Sequence, residues 1–337
     1  MKTARFVGNR MVAIEEKEKP SPSLGEAVVK VKSCGLCGSE RGEYLNGFSH
    51  HQGHEISGVI DEIGEGVTNV KPGDRVVVFL TSFCGACEYC RAGMTTMCKS
   101  YPQKQNIGWA SPGGFSEYLK INANQALPLD DSLSFDDGVL LLDTLGTPFH
   151  GLRMAHAESA ASALVIGCGT VGLGAILILK ALGVPRIFAS DKSAFRLEKA
   201  RKFGVRVIDA NLEDAVETVK QETGIGADLV VEAAGNPYTL TQAINAVRFG
   251  GTVLCLGEQP DDFSLKIDLG MRLRDLTLLR SWYFPTKEYF ENMELMKQGF
   301  FKRKEEMVTH CFPIEQMQEA CDIFYSGGSV KTMIHFD

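Results

Sequence analysis

No stretch of the chain approaches the ~18 consecutive apolar residues that a membrane-spanning helix requires. No membrane partner is therefore expected. The opening residues Met1-Lys2-Thr3-Ala4-Arg5-Phe6 soon give way to charged ones and lack the apolar core of a secretory signal, so a cytoplasmic location is expected. Basic residues are not in excess: 35 lysines and arginines stand against 42 aspartates and glutamates, for a formal net charge of −7. That is the wrong sign for a chain that mainly neutralises phosphate backbones, and no nucleic-acid partner is expected. Repeats and low-complexity segments are absent. What is left is an ordinary globular composition over 337 residues, 44% hydrophobic and 23% charged, which suits about two domains.

Glycine and cysteine, by contrast, are plentiful. The 35 glycines point to tight turns and close backbone approaches rather than a mostly helical bundle. The ten cysteines fall at 34, 37, 84, 87, 90, 98, 168, 255, 311 and 321, so six of them crowd between residues 34 and 98. In a reducing compartment such a local cluster reads as metal binding before disulfides.

The two halves differ in pattern. Before residue 150, short β-branched runs at Val28–Val31, Glu55–Ile63 and Arg75–Leu80 are punctuated by glycines and by Pro72-Gly73-Asp74, the signature of a barrel-like β unit. From about residue 160, apolar strands at 163–166, 186–189, 229–231 and 252–256 alternate with helical stretches at 171–182, 194–203 and 240–247. Alternation of that kind predicts a parallel sheet covered on both faces. Helices at about 287–298 and 314–325 and a strand at 331–336 complete the chain.

Cys84-Gly-Ala-Cys87-Glu-Tyr-Cys90 continues to Cys98, a C-x2-C-x2-C-x7-C pattern. Four thiolates this close can close a tetrahedral zinc site unaided, and a closed shell leaves no open position for chemistry. The competing readings are unrelated buried thiols and an iron–sulfur cluster, although the ferredoxin spacings differ. A second constellation joins Cys34-Gly-Leu-Cys37-Gly-Ser39-Glu40 to Gly53-His54-Glu55, 17 residues beyond Cys37. Neither fragment is specific alone: a lone cysteine is usually a small core residue, and a lone histidine a satisfied polar group. A catalytic zinc needs three protein ligands and one open position. Cys37 and His54 provide two, and an acid from further along must supply the third.

Val165-Ile166-Gly167-Cys168-Gly169-Thr170-Val171-Gly172 matches G-x-G-x-x-G between an expected strand and an expected helix, the context that makes the motif informative. Gly167 makes the turn, Gly169 admits a pyrophosphate, Gly172 lets helix and strand pack, and Thr170 and Val171 open the helix whose N-terminus attracts phosphate. Asp191, 19 residues after Gly172, would accept the adenosine ribose hydroxyls and repel a 2′-phosphate. NAD is thus expected over NADP, although Lys192 and Arg196 nearby soften that preference.

Together, the four-cysteine lobe, the Cys37 and Gly53-His54-Glu55 fragments and the glycine fingerprint resemble the zinc-dependent medium-chain dehydrogenases, the alcohol, sorbitol and threonine dehydrogenase superfamily, over essentially the whole chain. The resemblance implies an α/β protein. A GroES-like β-barrel catalytic domain at 1–147 and 285–337 would carry the zinc lobe at about 84–98. A Rossmann domain, a doubly wound parallel sheet, would fill 148–284. It implies two zinc ions per chain, one catalytic and one structural, with Cys37 and His54 as catalytic ligands. Asp143, in Leu142-Asp143-Thr144-Leu145, stands where relatives carry an acid, and matches the polyol branch; otherwise it is a loop or cap carboxylate. Glu55 either holds the metal or stands behind its ligands. Ser39 matches the hydroxyl that relays the substrate proton, and Glu40 stands where the family usually has aspartate, beside His54.

Gly42 occupies the position at which many relatives place the outer relay histidine, a role left to His50, His51 or water. Lys331 matches a basic residue that contacts the cofactor pyrophosphate, unless it is a surface lysine. Leu256, Ser281 and Tyr283 match segments flanking the nicotinamide. Trp109, Trp282 and Tyr283 line the substrate pocket or pack in the core. The implied activity is reversible NAD-linked oxidation of a secondary alcohol, with a polyol, sugar or cyclitol as substrate and a threonine-type amino alcohol as the alternative. Three rivals remain: a zinc-free NADPH reductase, a non-catalytic NAD-sensing protein and a purely structural zinc module. A homodimer or homotetramer is expected, with Leu269–Arg280 as an edge strand that pairs between subunits.

Overall fold

The computed structural model describes residues 1–100, 106–258, 262–265 and 269–337. They form two units, one of Met1–Leu142, Pro285–Lys297 and Val308–Asp337, the other of Asp143–Phe284 and Gln298–Met307. Two boundaries differ from the sequence reading: the first unit ends at Leu142 rather than 147, and 298–307 groups with the second unit. Both switches lie in irregular segments, where hydrophobic periodicity carries no signal.

The first unit is built on the strand Glu26–Gly35. One edge of it pairs antiparallel with Glu55–Ile63. The other is shared by Tyr118–Asn122, beside residues 26–30, and by the last strand of the chain, Lys331–His335, beside residues 33–35. Arg75–Val78, Ala126–Pro128 and Val308–Pro313 complete this seven-stranded sheet. The central strand is covered on both faces, burying Val29, Val31, Cys34 and Leu36 with Phe6, Tyr44, Ile56, Phe115 and Ile334. The pairing Gly35↔Glu55 also sets the positions of the segments adjoining these two strands. It brings Cys37, two residues beyond the end of one strand, beside His54, one residue before the start of the other.

The second unit carries a fully parallel six-stranded sheet. Its spatial order is Arg206–Asp209, Arg186–Asp191, Ser162–Ile166, Ala227–Glu232, Val247–Cys255, Thr277–Arg280, that is 3-2-1-4-5-6 in chain order. In such a doubly wound sheet the ligand crevice opens at the carboxyl ends of the strands where the order reverses, here after Ile166 and Glu232. The helix Thr170–Ala181 is apolar almost all round, burying Leu173, Ala175, Ile176, Leu177, Ile178 and Leu179, as a helix inside an α/β layer must. The sequence reading omits the outermost strand Arg206–Asp209 and the helix Ala215–Thr223. The strand has only four residues, one of them buried, too few for an alternation to register. The expected edge strand over 269–280 is confined to Thr277–Arg280, preceded by a helical turn Leu269–Arg272. Among the described residues no helix is long and apolar enough to cross a membrane.

Candidate active site

Ligand atoms of Cys37, His54, Glu55 and Asp143 all lie within 4.8 Å of one another. Asp143 arrives on the irregular turn Leu140–Thr144, broken by non-helical backbone at Leu142 (φ −80°, ψ −122°), and its Oδ1 accepts from Thr147 Oγ1 at 3.1 Å. One thiolate, one imidazole and carboxylate oxygens are a donor set suited to zinc, and such spacing fits ligands about 2.0–2.3 Å from a shared ion. Cys34, three residues before Cys37, is a different case: it is fully buried, and burial pushes its thiol well above the ordinary range, so it stays a core thiol.

Glu40 holds this cluster in shape. Its side chain is fully buried. Oε1 meets His54 Nδ1 at 2.9 Å and accepts the Gly53 N–H at 3.0 Å, while Oε2 accepts the Cys37 N–H at 3.3 Å. One carboxylate thus ties both ligand-bearing segments together. With Nδ1 engaged, the imidazole is left to offer Nε2 to a metal, the usual arrangement behind a ligating histidine.

Lys331 is not a surface lysine: it is fully buried, donates to Leu36 O at 3.1 Å and pairs with Glu55 Oε2 at 2.5 Å. A Cβ on Gly35 would lie 2.6 Å from Lys331 Cε, so glycine there is what leaves the lysine its channel. The sequence match located a basic residue correctly, but whether it faces a ligand or the interior depends on the packing of three strands.

Ser39 lies on the turn Gly38–Glu40, and its Oγ is buried with no hydrogen-bond partner among the described residues. A Cβ on Gly42 would meet nothing within 4 Å, so the missing relay histidine is not a steric necessity. His51 is buried, and burial pushes its pKa down to about 4; it stays neutral at physiological pH. Trp109 packs its ring 4.7 Å from that of His54. Its indole N–H donates to Glu43 Oε1 at 2.8 Å, and Glu43 is a residue that sequence reasoning overlooked because a helical glutamate normally reads as a solvated one. Trp282 is 44% exposed, whereas Tyr283 is buried with its ring 4.2 Å from that of Phe284.

The sulfurs of Cys84, Cys87, Cys90 and Cys98 likewise lie within 4.8 Å of one another, Cys84 and Cys90 at 3.9 Å and Cys87 and Cys90 at 3.5 Å. Tetrahedral Zn–S bonds of about 2.3 Å put sulfurs roughly 3.8 Å apart, so the residues fit a closed zinc shell. Hydrogen bonds from Ser100 and from the backbone N–H groups of Ala86 and Cys87 pull the Cys84 thiol down to about 5, which favours the thiolate that a metal needs.

In the second unit, Gly167 has φ +94° and faces the backbone of Ala233 and Ala234 so closely that a Cβ would lie 2.8 Å away. A Cβ on Gly172 would meet Gly167 O at 1.8 Å. Gly169 differs: a Cβ there would meet only the Arg196 guanidinium, at 3.9 Å. Packing does not demand glycine at 169, and the space it leaves at a helix N-terminus suits a pyrophosphate. Thr170 and Val171 begin that helix. Asp191 Oδ2 accepts the Cys168 N–H at 2.7 Å and Oδ1 the Ser193 N–H at 2.8 Å, fixing the carboxylate at the strand's end. Lys192 Nζ lies over the Tyr238 ring, 5.9 Å from its centroid. Leu256 and Ser281 are buried, the latter's Oγ without a partner among the described residues. Sequence reasoning also passed over Glu232, whose Oε1 accepts from the N–H groups of Ala234 and Gly235 and from Thr239 Oγ1 at 2.8–2.9 Å, bracing the loop against which Gly167 turns.

Comparison with known proteins agrees with this architecture. Residues 23–131 match the model of the alcohol dehydrogenase GroES-like domain, and residues 170–298 that of the zinc-binding dehydrogenases. The chain is 30% identical to an L-threonine 3-dehydrogenase of Caldanaerobacter subterraneus subsp. tengcongensis over 96% of its own length and 94% of the relative's. It is 31% identical to the (R,R)-butanediol dehydrogenase of Bacillus subtilis over 95% and 94%. Among solved structures it resembles alcohol dehydrogenase TADH from Thermus sp. ATN1, with TM-score 0.89 and 29% identity over 99% of both chains.

Proposed function

The chain belongs to the zinc-dependent medium-chain alcohol dehydrogenases, and on that premise we propose that it oxidises a secondary alcohol to a ketone with NAD, reversibly, the substrate being a polyol, sugar or cyclitol. The observation that carries this reading is the convergence of Cys37, His54, Glu55 and Asp143 within 4.8 Å. In this reading Cys37, His54 and Asp143 hold a catalytic zinc, with Glu55 within reach, and Cys84, Cys87, Cys90 and Cys98 hold a structural one. A zinc ion held there would supply Lewis acidity towards an alcohol oxygen, and a bound NAD would supply the hydride acceptor.

The chain's own groups do the rest. Ser39 Oγ takes the hydroxyl proton outward. Glu40 keeps His54 in the tautomer that presents Nε2. Asp191 receives the ribose hydroxyls and disfavours a 2′-phosphate. Gly167, Gly169 and Gly172, with Thr170, Val171 and Arg196, cradle the pyrophosphate, and Leu256, Ser281 and Tyr283 border the nicotinamide. An acid as the third ligand makes the donor set oxygen-rich, which suits a hydroxyl-rich substrate better than ethanol. The strand Thr277–Arg280, at an open sheet edge, supports assembly as a homodimer or homotetramer.

The test measures NADH formation by zinc-loaded protein against polyols, sugars, cyclitols, amino alcohols and simple alcohols, together with zinc content. Activity with a hydroxyl-rich substrate and two zinc ions per chain is expected. Cys37→Ser is expected to lose turnover and one zinc while still binding NADH, and Cys98→Ser to lose the other zinc and thermal stability. Full turnover in Cys37→Ser would overturn the catalytic assignment.

A further inference from the structure

A carboxylate that no part of the proposed chemistry uses lies one indole ring away from a candidate zinc ligand. Glu43 sits in the short helix Arg41–Asn46, next to Gly42. Its Oε1 is held by the Trp109 indole N–H at 2.8 Å, and the Trp109 ring packs 4.7 Å from His54, so a single indole links Glu43 to a candidate metal ligand. Glu43 Oε2 is buried and has no hydrogen-bond partner among the described residues.

The surroundings repeat that pattern. The turn carrying Trp109 packs on the loop before His54: the Gly113 N–H donates to His51 O at 2.9 Å and the Phe115 N–H to Gln52 O at 2.7 Å. Side-chain atoms on those two segments, His51 Nδ1, both amide atoms of Gln52 and Asn106 Oδ1, are buried without partners among the described residues, as is Ser39 Oγ. A buried polar atom without a partner is costly. Such atoms on segments that adjoin His54 in the chain or pack against its loop are what a polar ligand would satisfy. Glu43 stands out among them because an ionised carboxylate oxygen only accepts. The ligand must therefore bring an O–H or N–H donor of its own.

We propose that Glu43 is a specificity-determining residue that accepts a hydrogen bond from a second donor on the substrate, beyond the hydroxyl being oxidised. Diols, polyols and amino alcohols satisfy Oε2, whereas an alcohol with only alkyl substituents leaves it unpaired. This rests on the alcohol-oxidising reading above and narrows its substrate class. Trp109 acts through Glu43: it orients the carboxylate by holding the other oxygen.

The test compares kcat/KM for 2,3-butanediol, 1-amino-2-propanol and 2-butanol in wild type, Glu43→Ala, Glu43→Gln and Trp109→Phe, all zinc-loaded and with saturating NAD. In Glu43→Ala the preference for each bifunctional substrate over 2-butanol is expected to fall about 10–100-fold, mainly through KM, as loss of a hydrogen bond to a charged group implies. In Glu43→Gln the one amide oxygen stays with the Trp109 N–H and the NH2 takes the place of Oε2; a hydroxyl can accept from that NH2 but an ammonium cannot, so the variant should keep most of the diol preference but not that for the ammonium-bearing substrate. This separates a hydroxyl donor from an ammonium donor. Trp109→Phe should raise KM for both bifunctional substrates and serves if Glu43→Ala fails to fold. A wild type that oxidises all three, with preferences unchanged in Glu43→Ala and Trp109→Phe, overturns the role of Glu43 alone. A wild type that oxidises none of these and no member of the wider alcohol panel overturns the dehydrogenase reading and this inference with it.

Discussion

Lys331 Nζ lies 2.5 Å from Glu55 Oε2, an ion pair between two side chains that are each at most 1% exposed. The residues are 276 positions apart and meet because the last strand of the chain and the strand Glu55–Ile63 both lie against Glu26–Gly35. Taking one charge from such a pair strands the other in a medium that cannot solvate it. Lys331→Met should therefore lower unfolding stability by about 3–5 kcal/mol, read by denaturant titration, with Glu55→Gln in the same chain recovering part of the loss. NADH affinity should not change. A sharp loss of NADH affinity without loss of stability would place Lys331 at the pyrophosphate.

Glu40→Gln breaks the tie between Cys37, Gly53 and His54 and removes the charge that fixes the imidazole tautomer. Groups that support a ligating histidine typically contribute about 10–100-fold to metal affinity. Chelator competition on the variant should show one zinc released at that much lower chelator concentration and the four-cysteine zinc unmoved. Equal release of both would contradict the assignment of Glu40 to one site.

The Cys168 and Ser193 N–H groups donate to different oxygens of Asp191, so Asp191→Asn keeps an acceptor for only one of them, and a melting curve must show that the fold holds before the cofactor preference is read. The substitution removes the charge that repels a 2′-phosphate. The ratio of kcat/KM for NAD over NADP should fall about 10–100-fold, helped by the Arg196 guanidinium beside Gly169. An unchanged ratio would place discrimination elsewhere.

His335 Nε2 and Asp136 Oδ1 meet at 2.9 Å. The hydrogen bond to Asp136 raises the His335 pKa against the opposing effect of burial. Burial alone would raise Asp136, but hydrogen bonds from His335 and Ser33 outweigh it and hold the carboxyl below its ordinary range. The histidine part of this stabilisation is full below about pH 6.5 and fades as pH rises through the elevated folded value. The carboxylate part is present above about pH 4 and is lost as pH falls through the depressed value. The melting-temperature difference between wild type and His335→Gln should therefore be largest near pH 5–6 and shrink towards pH 8. The effect should be small, since the His335 side chain is 44% exposed and solvent screens the pair. A difference that grows with pH would contradict the pairing.

Much of the site was legible in the sequence because it is local. The four cysteines lie within 15 residues, and the glycine fingerprint spans one strand–helix turn. In both, residue type and spacing alone restrict the geometry. Cys37, His54 and Asp143 were legible only through resemblance, because nothing in their spacing says that they meet. The strand Arg206–Asp209 stayed illegible because a four-residue edge strand with a single buried residue carries no period. Glu43 stayed illegible because its partner is 66 positions away.

The sequence by itself determined the chemistry available: a thiolate, an imidazole and carboxylates for a metal, four further thiolates for a second, and glycines that open space at a helix N-terminus. Tertiary structure decided which of those groups face one another. The register Gly35↔Glu55 set Cys37 beside His54. The strand closing the sheet beside Gly35 turned Lys331 inward to Glu55, and the indole of Trp109 linked Glu43 to a candidate ligand. Residue type fixes what a side chain can donate, accept or bind. Burial and partner depend on strand register and on contacts between distant segments, and these are properties of the packed chain rather than of any stretch of it.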